Sequence, residues 1–78
     1  MQELLPSFEV QLSPRELQVL RMKAEGKTYQ CIASEIGIAR ATVREYCDSA
    51  VKKLDANSCI NAVFIATKLG IIGAKERD

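Results

Sequence analysis

The stretch GKTYQCIASEIGIARATVREYCDSAVKKL, residues 26–54, decides the fold of this 78-residue chain. The Thr28 hydroxyl can accept hydrogen bonds from the unpaired backbone N–H groups at the start of a helix. Gly37 follows about nine residues later, and glycine readily takes the left-handed conformation that ends a helix. The apolar residues that share one face between these caps are Ile32, Ala33 and Ile36. The pattern predicts a short helix that ends sharply at Gly37 and packs one face inward.

A second helix is predicted after Ile38. Its apolar residues recur at the same spacing and are Val43, Cys47, Ala50, Val51 and Leu54. Its charged residues lie on a different line and include Arg40, Arg44, Asp48 and Lys52. This helix should therefore bury one face and expose a charged one. Two helices around a tight turn, the second with a basic stripe, are typical of the helix-turn-helix motif that binds DNA.

Cap residues predict one helix on each side of this pair. Ser13 can cap a helix, Pro14 loses no hydrogen bond at the first helical position, and Glu16 can complete a capping box. That helix should run to about Glu25. Its predicted inner stripe is Leu17, Leu20 and Ala24, flanked by Val19 and Met22. Ser58 can cap a fourth helix that closes at Gly70. No strand pattern occurs, so the predicted fold class is all-α with four helices.

The fourth helix is apolar nearly all round, which indicates that both of its faces are covered. The face predicted for the core is Cys59, Ala62, Val63, Ala66 and Leu69. The other face is a predicted dimer interface of Ile60, Phe64, Thr67 and Ile71. One domain of this size has only a marginal core, so the surplus of apolar residues favours self-association. The alternative is that the leader segment, residues 1–11, folds over this face.

Composition excludes several classes of protein. The formal net charge is only +1, but residues 13–54 hold eight cationic side chains against five acidic ones, a modest basic bias. The three cysteines are widely spaced and the chain has no histidine. We therefore expect no metal site, no cofactor, no disulfide and no enzymatic nucleophile, and free, buried thiols instead. No signal peptide or membrane span is predicted, which favours a cytoplasmic protein, associated with the nucleoid when bound to DNA.

The same residues resemble the LuxR-type (LuxR/FixJ) helix-turn-helix domain of bacterial transcriptional regulators. The resemblance covers residues 12–72 and leaves residues 73–78 as a tail. Each motif is weak alone, and together, in order and at the family's spacing, they are specific. The motifs are Leu12-Ser13-Pro14-Arg15-Glu16, Val19-Leu20, Ala24-Glu25-Gly26-Lys27-Thr28, Ile32-Ala33, Ile36-Gly37-Ile38, Thr42-Val43-Arg44, Lys53-Leu54, Ala62-Val63 and Gly70-Ile71-Ile72.

The resemblance implies a third helix in the DNA major groove and a fourth helix that pairs two subunits. It also implies that Thr28 and Thr42 face phosphates and that Arg44 lies between backbone and bases. Residues 27–29 look most like the quorum-sensing branch, whose members carry a signal-binding domain upstream. The chain would then be a short free-standing regulator or the DNA-binding domain of a longer one.

The chain departs from the family pattern at several positions. Ala39 stands where a serine usually caps the third helix, which gives up about 1 kcal/mol. Cys31 replaces the glutamate of a second capping box. Tyr46 replaces a common histidine and Cys59 an arginine. Glu45 and Asp48 stand at positions where members of the family often carry basic or neutral residues that contact bases.

The charged face of the third helix allows two interpretations. Arg44, Asp48 and Lys52 are four residues apart, so they can form weak ion pairs along a solvated helix. Alternatively, Arg40 and Arg44 contact phosphates or guanine while an acidic neighbour accepts from cytosine. Tyr29 and Gln30, in the first turn of the second helix, either donate to phosphate or face only solvent. Together with the threonines that the resemblance assigns to phosphates, the predicted DNA-binding set is Thr28, Tyr29, Gln30, Arg40, Ala41, Thr42, Arg44, Glu45, Asp48 and Lys52. Four lysines are expected to contact the DNA backbone or only solvent, namely Lys23, Lys27, Lys52 and Lys53.

Two functions follow from these interpretations. The first is a sequence-specific, dimeric regulator that binds double-stranded DNA as a homodimer. The second is a partner module that forms heterodimers through its fourth helix with longer LuxR-type regulators and inhibits them. The missing cap at Ala39 and the acidic residues of the third helix favour the second to some extent.

Overall fold

The computed structural model describes residues 11–73, and this part of the chain forms four helices and no strand. The helices are α1 (Pro14–Ala24), α2 (Tyr29–Ile36), α3 (Arg40–Lys53) and α4 (Cys59–Lys68). The predicted all-α fold is confirmed. Residues 1–10 of the predicted leader and 74–78 of the predicted tail lie outside the described residues. Within residues 11–73, no helix is long and apolar enough to cross a membrane.

The predicted caps set the helix boundaries. Ser13 Oγ accepts from the Glu16 N–H at 3.1 Å, and Glu16 Oε1 accepts from the Ser13 N–H at 2.8 Å, which completes the capping box. Ser58 Oγ accepts from the Asn61 N–H at 3.1 Å at the start of α4. Gly37 has φ 73° and ends α2 in the left-handed conformation. Because no side chain needs to be placed there, glycine adopts this conformation at little cost.

Two buried clusters hold the helices together. The first joins α1, α3 and α4 and consists of Leu20, Ala50, Leu54, Ala62, Ala66 and Ile72. The second joins α1, α2 and α3 and consists of Val19, Ile32, Ala33, Val43 and Cys47. Among the helices of residues 11–73, only α1 and α3 contribute fully or nearly fully buried residues to both clusters. Helix α3 is therefore held from both sides along its inner face, and its orientation is set by most of the apolar core.

The predicted core stripes need three corrections, two of them at helix ends. Ala24 is exposed rather than inward, while Val19, predicted to flank the stripe, is fully buried. Leu69 is 43% exposed. Ala24 and Leu69 are exposed for the same physical reason, because each lies at or beyond the last turn of its helix. Ala24 lines open cavities between α1 and α4 instead of packed core.

The cysteines also differ from the prediction. Cys47 on α3 and Cys59 on α4 are paired as a disulfide, with Cα atoms 6.4 Å apart. The expectation of three free thiols is therefore wrong for this pair, and within residues 11–73 Cys31 is the one free thiol. The turn between α3 and α4 brings the first residue of α4 back onto α3, a contact that the separation of 12 residues does not reveal. Cys59 packs against both buried clusters.

Candidate nucleic-acid interface

The outward face of α3 carries most of the predicted DNA-binding set. Because Val43, Cys47 and Ala50 are fully buried, the residues on the opposite side of the helix must face solvent. The exposed members of the set on this helix are Arg40, Ala41, Arg44, Glu45, Asp48 and Lys52, and Thr42 is half-buried. The face predicted from the spacing is confirmed as a solvent-exposed face. Its contact with DNA stays a prediction.

The ion pair on this face is weak. Arg44 Nε lies 4.0 Å from Asp48 Oδ2, at the limit of an ion pair, and the two side chains are 69% and 68% exposed. Exposed pairs one helical turn apart stabilise a helix by about 0.3–0.5 kcal/mol. A phosphate can displace such a partner at small cost. The contact with Asp48 therefore does not prevent Arg44 from binding DNA.

The start of α3 lacks a side-chain cap. Ala39 occupies the cap position and makes no side-chain hydrogen bond there, although its carbonyl accepts from the Val43 N–H at 3.1 Å. The predicted loss of the serine cap is thus confirmed. The first turn of α3 also holds no acidic residue. Its unpaired N–H groups and positive end of the helix dipole favour an anion.

The start of α2 supplies the remaining predicted contacts. The Thr28 hydroxyl accepts from the Cys31 N–H at 3.1 Å, so it acts as the predicted cap. Gln30 is exposed and Tyr29 is half-buried against the second cluster. The Lys23 ammonium lies 4.7 Å from the centre of the Tyr29 ring, a distance typical of a cation–π contact. Tyr29 is therefore held in place between α1 and the core.

Lys27 is paired within the protein. Its ammonium donates to Glu35 Oε2 at 2.9 Å and lies 3.7 Å from Glu25 Oε1. The hydrogen bond to Glu35 raises the pKa of Lys27, and the same bond lowers the pKa of Glu35. The Cys31 thiol donates to Glu35 at 3.3 Å, which raises the pKa of that thiol. Two nearby carboxylates reduce the attraction of Lys27 for phosphate, so this lysine is a weaker candidate than Arg40 or Arg44.

Glu16, which the sequence marked only as a capping residue, is a buried carboxylate that also positions α3. Glu16 on α1 accepts from the Ser49 hydroxyl and from Lys53 Nζ at 2.9 Å, in addition to the Ser13 N–H. Burial raises the pKa of Glu16, but the hydrogen bonds from Ser49, Lys53 and Ser13 outweigh it, so the pKa lies below its ordinary value. The capping box revealed only one of these partners. The contacts to α3 required knowledge of how the two helices pack.

The outer face of α4 is apolar and exposed. Ile60 is 82% exposed and Phe64 is 58% exposed. Thr67 is also exposed, and its hydroxyl donates to the Val63 carbonyl at 2.8 Å. Ile71 differs from the prediction, because it is half-buried and packs against the first cluster. The chain turns at Gly70, which has φ 76°, and this turn carries Ile71 off the helical line of Phe64 and Thr67.

Residues 10–70 match the model of the luxR family of bacterial regulatory proteins. The transcriptional activator protein AnoR of Acinetobacter nosocomialis is 38% identical over 65 residues, which cover 83% of this chain and 27% of AnoR. The quorum sensing-dependent transcriptional regulator VjbR of Brucella abortus is 45% identical over 65 residues, 83% of this chain and 25% of VjbR. The response regulator RamR of Streptomyces coelicolor is 36% identical over 67 residues, 86% of this chain and 33% of RamR. The chain thus spans about a quarter to a third of these relatives.

Proposed function

This chain belongs to the LuxR family of bacterial regulatory proteins, and on that premise we propose that it binds double-stranded DNA as a homodimer with α3 in the major groove. Its family is one of transcription regulators and not of enzymes. We propose residues 12–72 as the DNA-binding domain. Its place of action would be the nucleoid of a bacterial cytoplasm, within a quorum-sensing response of the kind that the name of VjbR describes.

The outward face of α3 is the observation that carries this proposal. It is a helix of 14 residues whose inner face is fixed in both clusters and whose outer face is uncovered in the described part of the chain. A helix in this position can enter the major groove while its partner helix α2 crosses the backbone. The exposed arginines Arg40 and Arg44 are the side chains best suited to phosphate or guanine.

We propose that the start of α2 binds phosphate. The side chains that would do so are Thr28, Tyr29 and Gln30, in the first turn of a helix without acidic residues there. Helix N-termini attract anions because their N–H groups and dipole point at the ligand. Thr42, Ala41, Glu45, Asp48 and Lys52 complete the proposed contact surface. Of these, Glu45 and Asp48 can only accept hydrogen bonds when ionised, so they favour cytosine amino groups and disfavour phosphate.

We propose that α4 pairs the two subunits. Ile60 and Phe64 form an apolar patch at the centre of its exposed face, and a second copy would remove this patch from water. Burial of one such side chain is worth about 1.5–3 kcal/mol. Pairing would place the two α3 helices about one DNA turn apart, as the half-sites of a dimeric reader require. Thr67 and the partly buried Ile71 lie at the edge of the proposed interface.

Fluorescence anisotropy with genomic DNA fragments tests DNA binding. Arg40→Ala and Arg44→Ala should each weaken binding at least tenfold, and Arg21→Ala on the exposed side of α1 is the matched control. Each phosphate contact removed should lower the slope of log K against log salt by about 0.9. Affinity that does not change between low and moderate salt, or equal binding by all three variants, would reject the proposal.

A second function is favoured by the uncapped start of α3 and the acidic residues on its outer face. In this function α4 forms a heterodimer with a longer LuxR-type regulator and keeps that regulator off DNA. Phe64→Glu distinguishes the two functions, and Ser34→Glu, at an exposed position of α2, is the control. If Phe64→Glu abolishes regulation in cells while the Arg40 and Arg44 variants regulate normally, the chain acts as the partner module. If Phe64→Glu and both arginine variants fail to regulate, the chain acts as a DNA-binding dimer.

A further inference from the structure

Two sulfur atoms join the helix proposed to read DNA to the helix proposed to pair subunits. Cys47 lies in the middle of α3, and Cys59 is the first residue of α4. Their Cα atoms are 6.4 Å apart, within the range of about 4.4–6.8 Å that a disulfide spans. We propose that Cys47 and Cys59 are a reversible redox pair, which a hydroperoxide oxidises and a dithiol reduces.

The two sulfurs differ in access to solvent. Cys47 is fully buried in the second cluster. Cys59 is half-buried and lines an open cavity of about 230 Å³ together with Lys23 and Ile60. A lysine nearby and a helix N-terminus both favour the thiolate, which is the reactive form. A small oxidant therefore meets Cys59 first, and Cys47 is the resolving residue.

The oxidant proposed for the conversion of Cys47 and Cys59 to a disulfide is a hydroperoxide. The Cys59 thiolate attacks a peroxide oxygen, the O–O bond breaks, and one water or alcohol leaves after protonation. Cys59 is then a sulfenic acid. The Cys47 thiolate attacks its sulfur, the S–S bond forms, and the hydroxide that leaves takes up a proton to become water. In sum, two thiols lose two electrons and two protons, and the hydroperoxide is reduced by two electrons. A dithiol reverses the reaction by two thiol–disulfide exchanges.

Oxidation should make the domain harder to unfold. The bond closes a loop of residues 48–58, which holds the end of α3 and the turn into α4. Such a loop has fewer unfolded conformations, and this stabilises the folded state. The bond also fixes the start of α4 on α3, next to Ile60. The effect on stability does not depend on DNA binding, so it can hold even where the proposed function fails.

The test uses the full 78-residue chain, reduced with dithiothreitol, freed of it and treated with a small excess of hydrogen peroxide. The chain is then alkylated under denaturing conditions and its mass is measured. One cysteine, Cys31, should be alkylated, and the mass of the chain without the alkyl group should be two hydrogens lower than that of the reduced chain. The melting temperature should rise by about 10 °C and return after dithiothreitol. Three alkylated cysteines after peroxide, or a disulfide that includes Cys31, would overturn the proposal.

Single variants test the order of attack. Cys47→Ala should leave a sulfenic acid on Cys59 that dimedone traps, whereas Cys59→Ala should trap none at Cys47. Neither variant should show the reversible rise in melting temperature. Cys31→Ala is the matched control and should keep the reversible rise in melting temperature. Cys59→Ala alters a half-buried position and should fold. A reversible rise in its melting temperature would contradict the proposed pair. Dimedone labelling of Cys47 before Cys59 would also contradict it.

Discussion

Replacing Glu16 by glutamine should destabilise the domain and change how its stability depends on pH. The Glu16 carboxylate is buried and accepts hydrogen bonds from Ser13, Ser49 and Lys53. Glutamine has nearly the same size, so the change removes the charge without leaving a cavity. It also turns an amide NH₂, which cannot accept, toward the Ser49 hydroxyl, which donates to the carboxylate in the parent. Lys53 is 43% exposed, so water can solvate its ammonium in the variant.

The expected loss at pH 7 is about 2 kcal/mol. Hydrogen bonds to charged groups contribute about 1.5–3 kcal/mol each, and neutral ones about half as much. Glutamine keeps one acceptor oxygen, and the Ser49 hydroxyl can accept from its NH₂, so the loss comes mainly from charge-assisted hydrogen bonds that become neutral. For a domain of this size, about 2 kcal/mol corresponds to a melting temperature lower by about 10 °C.

The pH dependence gives the sharper test. The pKa of Glu16 is lowered in the folded state from its ordinary value of 4.5. Its contribution to stability is therefore fully present above that value and is lost as the pH falls through the folded pKa. In the glutamine variant this loss cannot occur. The melting temperatures of the two proteins should differ at pH 7, and this difference should shrink as the pH falls below 4.5 and through the folded pKa of Glu16.

Thermal unfolding followed by circular dichroism between pH 7 and pH 3.5 measures both effects. Glu45→Gln is the control, because Glu45 is exposed on α3 and such surface changes usually stay within about 0.5 kcal/mol. If Glu16→Gln melts within about 2 °C of the parent at pH 7, the Glu16 carboxylate does not stabilise the domain as described. A difference in melting temperature as large at pH 3.5 as at pH 7 would contradict the role of its charge.

Further changes test the caps, the turn and the dimer. Ala39→Ser should add about 1 kcal/mol to the free energy of unfolding, because it supplies the missing cap of α3; a melting temperature unchanged from the parent would contradict this. Gly37→Ala should cost about 1 kcal/mol from its φ of 73° alone, since an added Cβ meets no atom within 4 Å; a stabilised variant in denaturant titrations would show that the turn is not left-handed. Phe64→Glu should shift the chain toward monomer in sedimentation equilibrium, while Ser34→Glu should not; equal dimer fractions would place the interface elsewhere.

The sequence predicted the helices well because their ends are chemically marked. Ser13, Thr28 and Ser58 each accept a backbone N–H with a side-chain oxygen, and Gly37 ends α2 with positive φ, as expected. These are local interactions within about three residues, so a sequence contains them in full. The outward face of α3 was likewise predictable, because helical spacing separates its charged residues from its apolar ones.

Contacts between helices were not predictable in the same way. Glu16 meets Ser49 and Lys53 across 33 and 37 residues, and only the packing of α1 on α3 brings them together. The pairing of Cys47 with Cys59 also depends on the direction in which the turn after α3 sends the chain. At Ala24 and Leu69 the spacing was correct for an inward face, but both residues lie at helix ends and are exposed. Periodicity indicates which residues share a face and not what covers it.

The charge on the outer face of α3 favours the proposed dimer over a single subunit. Its exposed cations are Arg40, Arg44 and Lys52, and its exposed acids are Glu45 and Asp48, so the net excess on this face is small. With about three phosphate contacts, the slope of log K against log salt would be near −3 for one subunit. Such a subunit gains little from counterion release and would bind non-specific DNA weakly. Two subunits joined through α4 double the contacts and make the second binding event intramolecular. On this argument the acidic residues lower affinity for any DNA, and pairing restores affinity only where two half-sites lie at the right spacing.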